Sequence, residues 1–281
     1  MKISTILNRS FAAHLWNPMP GWLQFTISKI YTRIYTTALS RLIIGWFSKR
    51  YGLSVEKLKA YKPASGEKRY KNFQDFFARK LVSPPELRPD ENVWPCEGNI
   101  VEFGQVKNLE LVHVKGQAQS VANIFGRTKS EISKSFFVNI FLHNHHYHRF
   151  HAPVSGRLVK IERIPGKLSF LRPWFYKKSE VSKPSLVNER VILEIRDVKN
   201  NPWYLAIVGG MGVGTIVLNA NVNTNQFVNC GDEIGHFLLG STICLAIPDG
   251  LEGLHYMKSV TAMGTMPLKK TSVSELIHHV R

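Results

Sequence analysis

The chain of 281 residues contains few cysteines, no long hydrophobic run and few acidic residues. Its three cysteines, Cys96, Cys230 and Cys244, have neither metal-site spacing nor an even number for pairing. This pattern favours free thiols in a reducing compartment. No stretch of about eighteen apolar residues occurs, so the sequence predicts no membrane-spanning helix.

The shortage of acidic residues gives the chain a formal net charge of +17, from 37 Lys and Arg against 20 Asp and Glu. Such an excess predicts anionic partners, either nucleic acid or an acidic lipid surface. Hydrophobic residues make up 44% of the chain, and aromatic residues 11%, which excludes global disorder and indicates a packed core.

Residues 20–50 combine helical periodicity with aromatic and basic side chains, and no Asp or Glu precedes Glu56. Two interpretations stay open. The segment can be a helix, or two short ones, packed on the rest of the protein. It can also lie in a membrane interface, with aromatics at the headgroup level and cations toward anionic lipid, which we favour. The apolar positions at near-helical spacing are Leu23, Ile27, Ile30, Ile34, Ala38, Leu42 and Trp46.

From about residue 93 the hydrophobic period changes to two, which indicates short strands separated by Gly, Pro and Asn turns. We therefore predict an α+β fold, with N-terminal membrane-associated helices in residues 1–88 and a β-rich, sandwich-like or barrel-like core in residues 89–281. The predicted strands include 99–103, 109–114, 136–142, 157–161, 190–195 and 203–208, and a short helix is expected at 121–125.

Five histidines lie within nine residues: His143, His145, His146, His148 and His151. Clustered imidazoles suit either a metal site or acid–base chemistry. No Asp, Glu or Cys lies among them, so we favour acid–base chemistry and predict no metal.

A Gly-Ser-Thr tripeptide at residues 240–242 follows the run Gly-Asp-Glu-Ile-Gly-His-Phe-Leu-Leu, which begins at Gly231. Alone it indicates a tight turn. Together with Tyr147–Pro153 (Tyr-His-Arg-Phe-His-Ala-Pro) and the glycine-rich segment Ala206–Ile216, in this order, it resembles the phosphatidylserine decarboxylase family. The resemblance covers roughly residues 70–270.

The resemblance implies that the chain cleaves itself between Gly240 and Ser241, giving chains 1–240 and 241–281 that remain associated. Ser241 would become a covalent pyruvoyl cofactor, which forms a Schiff base with phosphatidylserine and releases CO2 and phosphatidylethanolamine. By the same match His151 is the partner of the cleavage-site serine, and His148 is a second active-site histidine that takes part in decarboxylation. We expect His148 to be the proton donor in that step.

The acidic member of the family's triad is an aspartate, where this chain has Glu97 in Trp94–Gly98. The carboxylate is thereby moved outward by about one methylene, and catalytic geometry is sensitive to about 1 Å. Self-cleavage could be slowed, or the backbone could absorb the change. The alternative function is therefore a processing-defective family member that binds lipid at a membrane.

We expect phosphatidylserine as the substrate, an anionic membrane surface as a partner, and no nucleic acid. A homodimer is compatible with the sequence. Phe170–Lys178, which mixes aromatics and cations, either inserts into lipid or packs on the N-terminal helix. Without a long presequence, a peripheral place on the cytoplasmic face of a bacterial inner membrane is favoured over the mitochondrial inner membrane.

Overall fold

The structure, a computed structural model, describes residues 11–88, 91–210, 216–238, 241–248, 250 and 257–267. Its N-terminal part is helical and the remainder is mostly β. The helical elements are a π-helical turn (Phe11–Trp16), α1 (Gly21–Tyr35), α2 (Leu42–Tyr51), α3 (Val55–Leu58), α4 (Phe73–Phe77), α5 (Lys183–Val187), and 3-10 turns at Ala38–Arg41, Val106–Asn108, Val121–Phe125, Pro173–Phe175 and Lys178–Glu180.

The strands confirm the period-two segments of the sequence. They are β1 (Tyr61–Lys62), β2 (Lys80–Leu81), β3 (Gly98–Gln105), β4 (Val112–Val114), β5 (Gln117–Gln119), β6 (Phe136–Leu142), β7 (Arg149–His151), β8 (Gly156–Ile164), β9 (Arg190–Asp197), β10 (Pro202–Gly209), β11 (Ile216–Leu218), β12 (Gln226–Val228), β13 (Glu233–Phe237), β14 (Ser241–Ile247) and β15 (Ser259–Val260).

An antiparallel eight-stranded sheet in the order β12-β8-β9-β10-β14-β6-β3-β15 forms the centre of the fold. A three-stranded sheet, β11-β13-β7, covers one of its faces. The residues between these two sheets form one hydrophobic cluster, called core 1, to which Phe150 of β7, Phe237 of β13 and Ile243 of β14 belong. The structure therefore confirms an α+β class with a β-rich core, and its two layered sheets form a sandwich-like arrangement.

The opposite face of the large sheet carries a second hydrophobic cluster. Val121–Phe125 and α5 pack there against side chains such as Tyr204 of β10 and Cys244 of β14. The predicted helix at 121–125 is a 3-10 turn, because its Ser120 cap and the left-handed Gly126 (φ 63°) enclose only five residues. The strand expected at 109–114 is shorter, since it starts at Val112. Of the glycine-rich segment, β10 ends at Gly209, and residues 211–215 lie outside the described residues.

Aromatic side chains join the N-terminal helices into a third cluster. Phe47 of α2 packs among Phe73, Phe76 and Phe77 of α4, with a ring-centroid distance of 5.0 Å to Phe73. The predicted cap of α4 is confirmed, because the Asn72 side chain accepts a hydrogen bond from Asp75 N–H at 2.8 Å. The domain boundary after residue 88 stays a prediction.

Helix α1 buries two polar residues and exposes several of its large apolar residues. Gln24 and Ser28 are fully buried, whereas Trp22 is 70% exposed and Ile34 49% exposed. Gln24 is buried because its amide donates to the Trp16 carbonyl oxygen and accepts from Leu168 N–H. Leu42 and Trp46 of the same predicted stripe are also exposed, by 81% and 64%. Among the described helices, none has both the length and the apolar character needed to cross a bilayer.

The loop Phe170–Lys178 packs in part on the N-terminal segment. Phe170 N–H donates to the Asn17 side chain, and the Tyr176 hydroxyl donates to the Phe170 carbonyl oxygen at 2.6 Å. Burial raises the pKa of Tyr176 to about 12. Trp174, at the tip, remains 39% exposed. Most of the loop is thus packed on the protein, as the second of the two interpretations of this loop requires. Trp174 is the aromatic side chain of the loop that stays at the surface.

Candidate active site

Ser241 is the first residue of β14 and lies in the middle of the large sheet. It pairs with Gly209 of β10 on one side and with Leu142 of β6 on the other. Because side chains alternate along a strand, Ser241 faces core 1, like Ile243. Its side chain is fully buried, and its hydroxyl oxygen has no hydrogen-bond partner among the described residues. Gly240, the other residue of the predicted cleavage site, lies outside the described residues.

His148 lies immediately before β7 and is fully buried. Its Nδ1 is 2.8 Å from the His146 carbonyl oxygen, and a carbonyl can only accept, so Nδ1 carries the hydrogen. Nε2 is then an open acceptor, and in the part of the chain that the structure describes it has no hydrogen-bond partner. Burial, followed by the nearby Arg79 cation, lowers the pKa of His148 well below its usual value. The ring is therefore a neutral imidazole that can accept a proton at Nε2.

His151, in β7, has hydrogen bonds at both ring nitrogens. Nδ1 donates to the Gly231 carbonyl oxygen at 2.9 Å, and Nε2 lies 3.2 Å from the Tyr147 hydroxyl, which therefore donates. The two rings are stacked, with centroids 5.8 Å apart. Burial lowers the pKa of His151, so this imidazole is neutral too. In the described structure His151 makes no hydrogen bond to Ser241, its predicted partner.

Glu97 reaches the histidine segment through the backbone. Its carboxylate accepts a hydrogen bond from Tyr147 N–H at 2.9 Å, and in the described structure it makes no hydrogen bond to His151. Burial raises the pKa of Glu97, while the Tyr147 N–H and then Arg79 act in the opposite direction. The Glu97 carboxylate is thus connected to His151 indirectly, through Tyr147. The Tyr147 N–H donates to Glu97, and the Tyr147 hydroxyl donates to His151.

Arg79 is a site residue that the sequence analysis missed. The side chain is only 1% exposed, and its Nη2 donates to the carbonyl oxygens of His145 and His146 at 2.7 and 3.0 Å. The guanidinium also lies 4.6 Å from the Tyr61 ring centre. Arg79 therefore fixes the turn that carries His146, whose own carbonyl sets the tautomer of His148. A single arginine at the end of a short helix has no periodic signal that could have revealed this role.

Arg149 is the second missed residue, although it lies inside the Tyr147–Pro153 motif. Its Nε donates to the Ala78 carbonyl oxygen at 2.8 Å, and its Nη1 pairs with the Glu233 carboxylate at 2.5 Å. The buried cation therefore ties β7 to the end of α4 and to β13. These contacts hold the strand that carries His151.

The remaining histidines of the cluster form a turn beside the site. His146 accepts the His143 N–H at its Nδ1, 3.0 Å away. Burial and the neighbouring imidazole of His145 lower the pKa of His143 to about 4 and that of His146 to about 3. Within the part of the chain that the structure describes, no group of three or more His, Cys, Asp or Glu side chains is arranged to hold a metal ion.

Ser241 is a buried serine at a strand start, and His148 and His151 are buried, neutral imidazoles. Serine and histidine are residue types that transfer protons at a hydroxyl group. Comparison with known proteins gives the class. Residues 73–269 match the family model described as phosphatidylserine decarboxylase. This match covers more than half of the chain.

Individual relatives agree with the family match. A phosphatidylserine decarboxylase proenzyme of Acidovorax ebreus is 31% identical over 236 residues, which are 75% of this chain and 80% of the relative. One of Coxiella burnetii is 31% identical over 252 residues, 80% of this chain and 86% of the relative. One of Azoarcus sp. is 28% identical over 234 residues, 75% of this chain and 78% of the relative. The chain belongs to the phosphatidylserine decarboxylase family, a family of decarboxylases.

Proposed function

We propose that this protein converts phosphatidylserine to phosphatidylethanolamine and CO2 with a pyruvoyl group that it makes from Ser241. The observation that carries the proposal is the Ser241 hydroxyl, which is fully buried and makes no hydrogen bond to any residue that the structure describes. An unsatisfied buried hydroxyl costs about 1–3 kcal/mol, a cost that reactive sites tolerate. It fits a serine that is consumed in making a covalent group.

In the proposed cleavage, the Ser241 oxygen attacks the Gly240 carbonyl carbon and the amide becomes an ester. His151 accepts the hydroxyl proton at Nε2, which requires the Tyr147 hydroxyl to leave that nitrogen. Loss of the Ser241 α-proton then breaks the ester, and hydrolysis releases ammonia and leaves the pyruvoyl group at the start of chain 241–281. This carbonyl group provides the electron sink for decarboxylation. His148, with its open Nε2, carries the proton to the carbon that loses CO2.

We also propose that the two chains stay together after cleavage. All seven residues of β14 pair with β6, and six of them pair with β10. The strand is buried along its whole length. A cut immediately before Ser241 leaves these ladders intact, so the smaller chain stays in the centre of the sheet.

The intact mass of the freshly purified protein tests the proposal. Two masses, for chains 1–240 and 241–281 with the smaller chain N-terminally blocked, are expected, and Ser241→Ala is expected to give one uncleaved mass. The cleaved protein should release CO2 from phosphatidylserine vesicles. A single uncleaved mass for the wild-type chain would contradict the mechanism and would support the lipid-binding alternative.

We further propose that α1 and α2 lie in the membrane interface, on the cytoplasmic face of a bacterial inner membrane. The exposed apolar side chains support this, since they lie beside exposed cations such as Lys29, Arg33 and Lys49. A helix that buries glutamine and serine while exposing tryptophan and isoleucine suits lipid on its outer face.

Removing two exposed tryptophans is expected to weaken membrane binding. Trp22→Ser with Trp46→Ser should lower affinity for vesicles containing anionic lipid by at least about tenfold, because each indole buries a large apolar area. Co-sedimentation measures the effect. Val198→Ser is the matched control, since Val198 is 79% exposed in the turn between β9 and β10. Tight binding to oligonucleotides, or unchanged vesicle binding by the double variant, would contradict an interfacial role.

A further inference from the structure

A second carboxylate, Glu189, lies in the same row of the large sheet as Ser241. Gly209 N–H donates to the Glu189 carbonyl oxygen at 2.9 Å, and Gly209 pairs with Ser241. Both Val191, two residues beyond Glu189, and Ile207, two before Gly209, belong to core 1. Alternation therefore places residues 189, 209 and 241 on the face of the sheet that is turned toward core 1.

The middle position of this row is a glycine, so the sheet places no side chain between those of Glu189 and Ser241, and this position is called the gap. Adjacent strands are about 4.8 Å apart, which puts the backbones of Glu189 and Ser241 about 10 Å apart. A methyl group on Gly209 would lie 4.0 Å from Glu189 Oε2 and 3.6 Å from its nearest neighbours, the Glu189 carbonyl oxygen and the Leu168 side chain. The Glu189 carboxylate therefore reaches toward Gly209 on the same face of the sheet as the Ser241 side chain.

Only one oxygen of this carboxylate is in use. Oε1 pairs with Arg163 Nη1 at 2.5 Å, and Arg163 also donates to the Ile216 carbonyl oxygen. Oε2 is buried on a side chain that is 9% exposed, and no described residue forms a hydrogen bond with it. Oε2 is therefore an unsatisfied acceptor at the edge of the gap, on a carboxylate whose other oxygen forms an ion pair.

We propose that Glu189 binds the ammonium group of the serine headgroup and thereby places the substrate amine over Gly209, next to Ser241. This inference rests on the proposed function, because the amine must reach the carbonyl derived from Ser241. An ammonium group has three donors and forms short, charge-assisted bonds of about 2.7–2.9 Å to carboxylates. The same negative charge repels the carboxylate and phosphate of the headgroup, which sets the orientation of the lipid.

Binding to an uncleaved protein tests the inference without turnover. The Ser241→Ala chain is titrated calorimetrically with dihexanoyl phosphatidylserine and dihexanoyl phosphatidylglycerol, which carry the same net charge, although only the serine lipid has an ammonium group and a balancing carboxylate. We expect tighter binding of the serine lipid, and Glu189→Gln is expected to reduce that preference about tenfold or more. Glu194→Gln is the matched control, because Glu194 is a buried, arginine-paired carboxylate of β9 on the opposite face.

Two further variants make the test specific. Gly209→Ala places a methyl group in the gap with ordinary contact distances, so it should fold and also lose the preference for the serine lipid. Glu189→Gln in the Ser241-containing chain should still cleave to two masses, and should raise KM for phosphatidylserine more than it lowers kcat.

The outcomes separate this inference from the proposed function. A Glu189→Gln chain that keeps the full preference for the serine lipid would overturn the inference, and so would a Ser241→Ala chain with no preference. A Glu189→Gln chain that remains uncleaved would assign the carboxylate to self-cleavage instead. If the wild-type chain fails to cleave while Ser241→Ala still prefers the serine lipid, the proposed function fails and the ammonium site stands.

Discussion

The His151→Gln chain is expected to remain uncleaved, whereas the His148→Gln chain is expected to cleave and then to lack decarboxylase activity. Each histidine is proposed to move a proton in a different reaction, and removal of a general acid or base costs about 10²–10⁴-fold in rate. Glutamine approximates the volume of histidine, which limits the cavity left at these buried positions. Intact mass measures cleavage, and CO2 release from phosphatidylserine vesicles measures decarboxylation.

The hydrogen bonds of the two imidazoles make this a discriminating experiment. His151 Nε2 is held by the Tyr147 hydroxyl, while His148 Nε2 is open. If His148→Gln blocks cleavage and His151→Gln does not, the open nitrogen of His148 serves Ser241 and the two roles are exchanged. His145→Gln is the matched control, because His145 is a half-buried histidine of the same segment and should leave both reactions unchanged.

The period of the hydrophobic residues and the helix-capping residues are sufficient to predict much of the fold. The alternation in 136–142 and 190–195 and the capping residue Asn72 are local signals, and the structure has β6, β9 and α4 at these places. The helical periodicity in residues 20–50 is also confirmed, because the structure has α1 and α2 there. Its period cannot show which side the protein covers, however, and the burial of Gln24 depends on contacts with Trp16 and Leu168, the latter 144 residues away.

The site could be predicted as a set of residues but not as a set of contacts. Ser241 and the histidines come from motifs, and the motif match also identifies Glu97. That Glu97 contacts Tyr147 N–H depends on how residues 94–98 lie against β7, where His151 N–H donates to the Pro95 carbonyl oxygen. Buried arginines and the row containing Glu189 depend on tertiary packing and strand register, for which a single sequence carries no local signal.

Glu97→Ala is expected to slow self-cleavage about tenfold to a hundredfold. The substitution leaves the buried Tyr147 N–H without its acceptor, which costs about 1–3 kcal/mol, and residues 147–151 can then shift. A displacement of about 1 Å at a reacting group is enough to cost about a hundredfold in rate. Cleavage after refolding from urea, followed by intact mass over time, measures the change. A Glu97→Ala chain that cleaves at the wild-type rate would show that Glu97 has no role in self-cleavage and is only a carboxylate in a turn.

The pH dependence of cleavage should identify Glu97 as the group that titrates. Burial raises its pKa above the usual value, so the carboxylate becomes protonated, and a weaker acceptor for Tyr147 N–H, at a higher pH than an exposed glutamate. Wild-type cleavage should therefore slow as the pH falls through that raised pKa. Glu97→Gln keeps an oxygen acceptor that does not titrate, so it should lose the contribution of Glu97 to this acidic limb and keep only that of His151, the proposed base. Glu102→Gln is the control, because burial also raises the pKa of Glu102, which instead accepts from Ser182. If Glu97→Gln keeps the whole acidic limb of the pH profile and Glu102→Gln loses part of it, the titrating carboxylate is Glu102. The indirect connection between Glu97 and His151 would then not be what makes cleavage depend on pH.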